Sequence, residues 1–157
     1  MRYNFEGGDC LGKLTKSVEI EASPEEVFAF FIDQKKMNEA TKGFAEVEYT
    51  SKGPVGVGTT AHHIGKVGSQ QGEWDMEVTE FVKNKKMSDR TIGASKVKMT
   101  DSWTFEPTAK GTKWTMSMDY EVPYSVLGKV IDKLKVSKDL DKVMGKTLES
   151  IKKALEA

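Results

Sequence analysis

Between Tyr124 and Ala157 the apolar residues return every three or four positions, first Leu127, Val130, Ile131 and Leu134, then Leu140, Met144, Leu148, Ile151 and Leu155. That is the period of one face of an α-helix, and Pro123 marks its start. At about 1.5 Å per residue the helix would run roughly 50 Å, more than a small domain needs to close a core. At about 100° per residue the second group falls roughly 100° round from the first, with Ser137, Lys138 and Asp139 where the first stripe should continue. The helix therefore bends or changes what it faces, and the rest of the chain must wrap around it.

The preceding residues supply a sheet. Leu14, Lys16, Val18 and Ile20 alternate with Thr15, Ser17, Glu19 and Glu21, a half-buried strand. The period then changes at Ser23-Pro24-Glu25-Glu26, where an N-cap serine, a proline at the first helical position and a glutamate three residues after the cap together start a helix. Val27, Phe28, Phe31 and Ile32 form its buried side, and a second short helix covers Gln34 to Thr41, ending before Gly43. From Phe44 to Val122 the chain reads as six antiparallel strands broken at Lys52-Gly53-Pro54, Gly68 to Gly72, Lys83-Asn84-Lys85, Gly93-Ala94-Ser95 and Thr108 to Gly111. Trp74, Met76 and Val78 fall on one face of their strand, as do Val97, Met99, Asp101, Trp103 and Phe105, and Trp114, Met116, Met118, Tyr120 and Val122. One face of this sheet is wet and the other apolar.

Strand, two short helices, six strands and a long helix make an α+β domain with about seven strands and every helix on one face. Seven strands at about 4.8 Å spacing span roughly 30 Å, whereas a helix with its side chains is about 10 Å across. One helix cannot fill that concavity, so an apolar pocket is expected between sheet and helix. Met76, Met99, Met116 and Met118 line its predicted wall, and methionine adapts to irregular apolar shapes.

Composition bounds the rest. The 157 residues and 38% hydrophobic content suit one domain over 1–157, with the glycine-rich residues 1–12 as a loosely held arm. The 24 basic and 24 acidic residues cancel, so no global field recruits nucleic acid or an anionic membrane. The lysines of the last helix alternate with Asp132, Asp139, Asp141 and Glu149, as on a solvated face. A single cysteine, Cys10, excludes an internal disulfide, and neither a signal segment nor a membrane-length apolar run is present. A cytoplasmic monomer or homodimer without membrane insertion is expected.

Several stretches resemble the helix-grip superfamily, also called START-like or SRPBCC, and most closely its polyketide cyclase/dehydrase-like branch. They are Val18 to Phe28, Gly53-Pro54-Val55-Gly56-Val57-Gly58-Thr59, Val78-Thr79-Glu80-Phe81, Trp103 to Pro107 with Gly111 to Thr115, and Leu155-Glu156. The similarity runs from about residue 13 to the end and rests on structural motifs. It implies a curved sheet around the C-terminal helix with an apolar cavity between them. It also implies one of three functions: binding of a lipid, isoprenoid, sterol-like or polyketide-like molecule, cyclisation or dehydration of a polyketide-like substrate, or co-chaperone or ribosome-associated work. Met37-Asn38-Glu39-Ala40 departs from the branch, where an aromatic is common.

Asp101 is the sharpest candidate for chemistry, a carboxylate on an apolar face between Met99 and Trp103; desolvation there raises its pKa. Tyr120 on the neighbouring strand could place a phenol beside it. Glu80 and Asp89 point inward if no bulge intervenes, and Arg90 does so if one does. His62 and His63 point to opposite faces, so they share no metal, while the inward one could move protons near neutral pH. Neither paired metal ligands nor an activated nucleophile is evident, and no cofactor is expected. Gly53 to Gly58 lacks the lysine and helix of a phosphate loop and reads as a tight hairpin turn. The resulting ligand-binding set is Trp74, Met76, Val78, Met99, Asp101, Trp103, Met116, Met118, Tyr120, Leu127, Ile131 and Leu134, with Asp101, Tyr120 and His63 as candidates for catalysis.

Overall fold

The computed structural model describes residues 9–67, 69–123 and 133–157. Seven strands, β1 (Asp9–Ile20), β2 (Ala45–Tyr49), β3 (Thr60–Val67), β4 (Gln70–Val82), β5 (Lys86–Ile92), β6 (Lys98–Pro107) and β7 (Thr112–Pro123), form one antiparallel sheet. Its order is β1-β7-β6-β5-β4-β3-β2, a meander whose first strand has come round to pair with its last. The helices α1 (Pro24–Phe31) and α2 (Gln34–Ala40) link β1 to β2, and α3 (Lys133–Glu156) follows β7. This is the helix-grip fold, with a curved sheet and a long C-terminal helix.

Local chemistry explains the elements. Ser23 Oγ accepts from the Glu26 backbone N–H at 3.3 Å and Glu26 Oε2 accepts from the Ser23 backbone N–H at 2.9 Å, the reciprocal capping box that offsets the orphan donors of α1. Val27, Phe28 and Phe31 turn inward from it. They pack with Ile20, Phe105, Trp114, Leu148 and Ile151 into an aromatic-rich cluster that closes one end of the molecule. Phe28 meets Phe105 edge-on at 5.2 Å, and Phe105 stacks on Trp114 at 5.9 Å. A smaller cluster, Leu14, Met99, Met118, Tyr120, Val122 and Met144, joins β1, β6 and β7 to α3.

Asp33 caps α2, accepting from the Lys36 backbone N–H at 3.1 Å. Asn38 then binds both polar groups of Val47, its Oδ1 accepting from the backbone N–H at 2.8 Å and its Nδ2 donating to the carbonyl at 2.9 Å. Gln34 Oε1 accepts from the Tyr49 backbone N–H at 2.7 Å, and Thr41 Oγ1 donates to the Ala45 carbonyl at 2.9 Å.

Two expectations are corrected here. β1 begins at Asp9 and is paired with β7 along its length, so residues 9–12 belong to the sheet and not to an arm. Gly12 belongs there because a Cβ on it would run into the Tyr120 ring and hydroxyl. The link from β2 to β3 is a ten-residue loop over 50–59, not a tight turn. It is pinned where the Gly58 N–H donates to the Val78 carbonyl at 2.8 Å. α3 runs unbroken through Ser137 to Asp139, with Ser137 buried. Leu140 packs against the smaller cluster and also lines the cavity described next. Met144, Leu148 and Ile151 do the anchoring. Leu127, Val130 and Ile131 lie outside the described residues, as does the side chain of Leu134.

Candidate functional site

A cavity of about 870 Å3 lies between the concave face of the sheet and α3. Its volume falls in the roughly 300–1,000 Å3 range of sites for small molecules. α3 supplies Val136, Leu140, Val143 and Thr147, while Phe31 and Met37 supply the wall from the α1–α2 side. Trp74, Met76, Val78, Met99, Asp101, Trp103, Met116, Met118, Tyr120 and His63, all candidates from the sequence, line it. The strand period put them there, because inward side chains recur every second residue.

The polar groups of the wall are few. Across the sheet, the inward row reads Val78, Asp89, Asp101, Met118 and Leu14, on β4, β5, β6, β7 and β1. Asp89 and Asp101 are thus direct cross-strand partners with apolar neighbours on either side. They are 3% and 7% exposed, and Oδ1 of each is buried without a hydrogen-bond partner among the described residues. Neither forms an ion pair with a described residue; Lys86, Arg90 and Lys98 of β5 and β6 pair instead with Glu80, Glu77 and Glu121. Burial, and then the charge of Asp119, pushes the Asp101 carboxyl up to about 7. Burial, and then the charge of Asp101, raises Asp89 well above the carboxylate range.

Why Asp89 is inward and Glu80 is not is a matter of backbone count. A β-bulge lies between Val78 and Glu80, and the extra residue turns every later side chain of β4 over. Phe81 consequently packs on the core. Glu80 sits outside, 2.8 Å from Lys86. The expectation of an inward Glu80 is therefore corrected, and Arg90 stays outside because its own strand has no bulge.

His62 and His63 do face opposite ways. On the outer face the His62 Nδ1 lies 2.8 Å from Asp75, and that hydrogen bond raises its pKa. His63 lines the cavity and stacks against Trp74 with ring centroids 6.2 Å apart. Burial, and then the charge of His62, lowers it to about 4, so at neutral pH it is an uncharged imidazole. Trp74 lies over Gly65, whose missing side chain leaves that room.

Tyr120 lines the wall, but its hydroxyl lies against Gly12 on β1, across β7 from Asp101 on β6. The two are not brought together. The phenol on the other flank is Tyr49 of β2, which the motifs do not point to although Ala45, Val47 and Tyr49 alternate with Glu46 and Glu48. Its hydroxyl donates to the Ile32 carbonyl at 3.1 Å. Burial, followed by the charges of Asp89 and Asp33, pushes its pKa to about 12. Among the described residues no three His, Cys, Asp or Glu groups come close enough to hold a metal ion, and no helix is long and apolar enough to cross a membrane.

Residues 12–156 match the model of a family whose description is polyketide cyclase/dehydrase and lipid transport. The chain belongs to that family. Ligand binding in general follows from membership of the polyketide cyclase/dehydrase and lipid transport family. The TTHA0849 protein of Thermus thermophilus is similar in structure, with a TM-score of 0.79 and 18% identity over 92% of this chain and 97% of that one. The ZhuI aromatase/cyclase of Streptomyces sp. R1128 gives 0.73 and 14% over 93% and 94%. Ara h 8.0201 gives 0.68 and 11% over 94% and 99%. At these identities the likeness is one of fold. No curated protein matches the sequence.

Proposed function

We propose that this chain binds and carries a small, largely apolar molecule, of lipid, isoprenoid, sterol-like or polyketide-like character, in the chamber between sheet and α3. The observation that carries this is an apolar chamber of about 870 Å3 that the described side chains do not fill, with methionines along its wall. A well-packed core leaves no such space. Burial of apolar ligand surface against Met76, Met99, Trp103, Met116 and Met118 supplies the affinity, at about 25 cal/mol per Å2, and the two carboxyls orient a polar end. Native mass spectrometry of gently purified protein, compared with its denatured mass, tests this. A retained small molecule, or saturable uptake of an added apolar one, supports it. An empty protein that binds nothing apolar sinks it and leaves an interaction role as co-chaperone or ribosome-associated factor.

A second reading is favoured by one observation, the pair of facing carboxyls with Asp101 titrating near 7. Such a group can give a proton to a carbonyl oxygen in a cyclisation or dehydration, and the ZhuI protein of similar fold is an aromatase/cyclase. His63, neutral on the wall, is the candidate base. Asp101→Asn separates the two readings: it abolishes turnover of a polyketide-like substrate in an enzyme, but changes only affinity in a carrier.

A further inference from the structure

The polar end of the chamber carries information about what enters it. Two carboxyls stand directly opposite each other on β5 and β6, where cross-strand Cβ atoms lie about 4.5–5.5 Å apart. Each residue is more than nine-tenths buried and lines the cavity, and each keeps a buried oxygen with no hydrogen-bond partner among the described residues. Among those residues, the donors that would normally compensate such a pair are missing from its own face. Val78 and Met118 flank it along the row, and Trp103 stands two residues further along β6. A buried acceptor left without a donor is costly, and a buried carboxylate without a cation more so. The arriving molecule must therefore bring what the wall lacks.

We infer that the ligand is an amphiphilic amine, whose ammonium group sits between Asp89 and Asp101 while its apolar body fills the methionine-lined chamber. This rests on the reading of the chamber as a binding site for a largely apolar molecule, and it names the chemical class. An ammonium offers three N–H donors and a positive charge, an alcohol offers one donor and no charge, and a carboxylate brings no donor and adds negative charge beside two acids. The indole of Trp103 adds an electron-rich face to the same side of β6.

Other titratable groups turned toward the pair do not substitute for the ligand's charge. From β3 comes His63, lowered to about 4, and from β2 comes Tyr49, raised to about 12, so both are neutral between those values. β4 offers Met76 and Val78, and β7 offers Tyr120, whose hydroxyl lies on Gly12; Glu46, Lys66 and Glu73 also border the cavity, but all three are exposed to solvent. From α3, Lys135 and Asp139 line the cavity but bind each other at 3.1 Å. Asp119 stands on the outer face, 3.7 Å from Lys13. Asp89 and Asp101 are thus the groups whose protonation an amine must displace.

Decylamine, decanol and decanoate share one apolar body and differ in the polar end. Binding of each, below its micelle concentration, is measured by calorimetry and by tryptophan fluorescence. Decylamine is expected to bind at least about tenfold more tightly than either of the others at about pH 8. It should weaken at least about fivefold toward pH 5.5, with protons released on binding, while decanol stays unchanged. In D89N/D101N the preference should shrink to within about threefold of decanol. If that variant does not fold, D101N and the wild-type pH series carry the decision. Decanol or decanoate binding as tightly as the amine, or an amine preference that survives in D89N/D101N, overturns the inference while leaving the chamber reading intact. Failure of all three to bind overturns both.

Discussion

Asp101 and His63 sit on the same cavity wall and are moved in opposite directions by the same cause, burial. Asp101 holds its proton more tightly folded than unfolded, so its contribution to stability is complete below about pH 4 and is lost as pH rises toward 7, on the order of 3 kcal/mol. His63 binds a proton less tightly when folded, so its contribution is present above its unfolded value near 6.5 and is lost as pH falls through about 4. Urea unfolding of Asp101→Asn across this range should show stability equal to or about 1–3 kcal/mol above wild type near pH 8, and a shallower fall as pH rises. A second expectation concerns Gly12. Adding a methyl group there collides with Tyr120, so Gly12→Ala should lower the unfolding free energy by about 1–3 kcal/mol, measured by denaturant midpoint. Asp101 is legible in the sequence because strict alternation across β6 leaves one position for each face. Glu80 is misplaced by the same reading because a bulge is a property of the backbone that alternation does not announce, and Gly12 misleads because glycine's usual meaning is a turn. Here its use is the space it leaves for a ring on the neighbouring strand.

At the scale of elements, α3 divides its work around its circumference. Met144, Leu148 and Ile151 are buried against β1 and the α1 cluster. Val136, Leu140, Val143 and Thr147 face the cavity. Met144→Ala should therefore cost about 2–5 kcal/mol of stability with little change in ligand affinity. Val143→Ala should cost less than about 1 kcal/mol and weaken binding, read by calorimetric titration beside thermal unfolding. The three-and-four spacing makes this helix and its apolar residues visible, but periodicity reports which residues avoid water and not what they meet. A core and a chamber attract the same side chains, and Leu140 serves both. α1 is readable to the residue, since capping is local chemistry fixed by Ser23 and Glu26.

For the molecule as a whole, the element order is enough to require a concavity too wide for one helix, and the chamber follows from that mismatch. Its occupant is not legible, because apolar walls accept many shapes. Stability and occupancy are nevertheless coupled. A ligand at about a hundredfold its Kd adds about 2.7 kcal/mol, so thermal unfolding should shift upward by roughly 5–10 °C, and the shift should grow with ligand concentration. The same architecture covers one edge of the sheet. β2 is a sheet edge, and the outward backbone groups of an edge are a template for a strand from another chain. Gln34, Asn38 and Thr41, spaced along one side of the α2 segment, occupy the outward groups of Tyr49, Val47 and Ala45. A short helix thus imitates an eighth strand along β2 with its side chains. Asn38→Ala exposes that row, and light scattering of concentrated solutions should show faster growth of β-rich aggregates than in wild type. The departure Met37-Asn38-Glu39-Ala40 is, in this light, a solubility device.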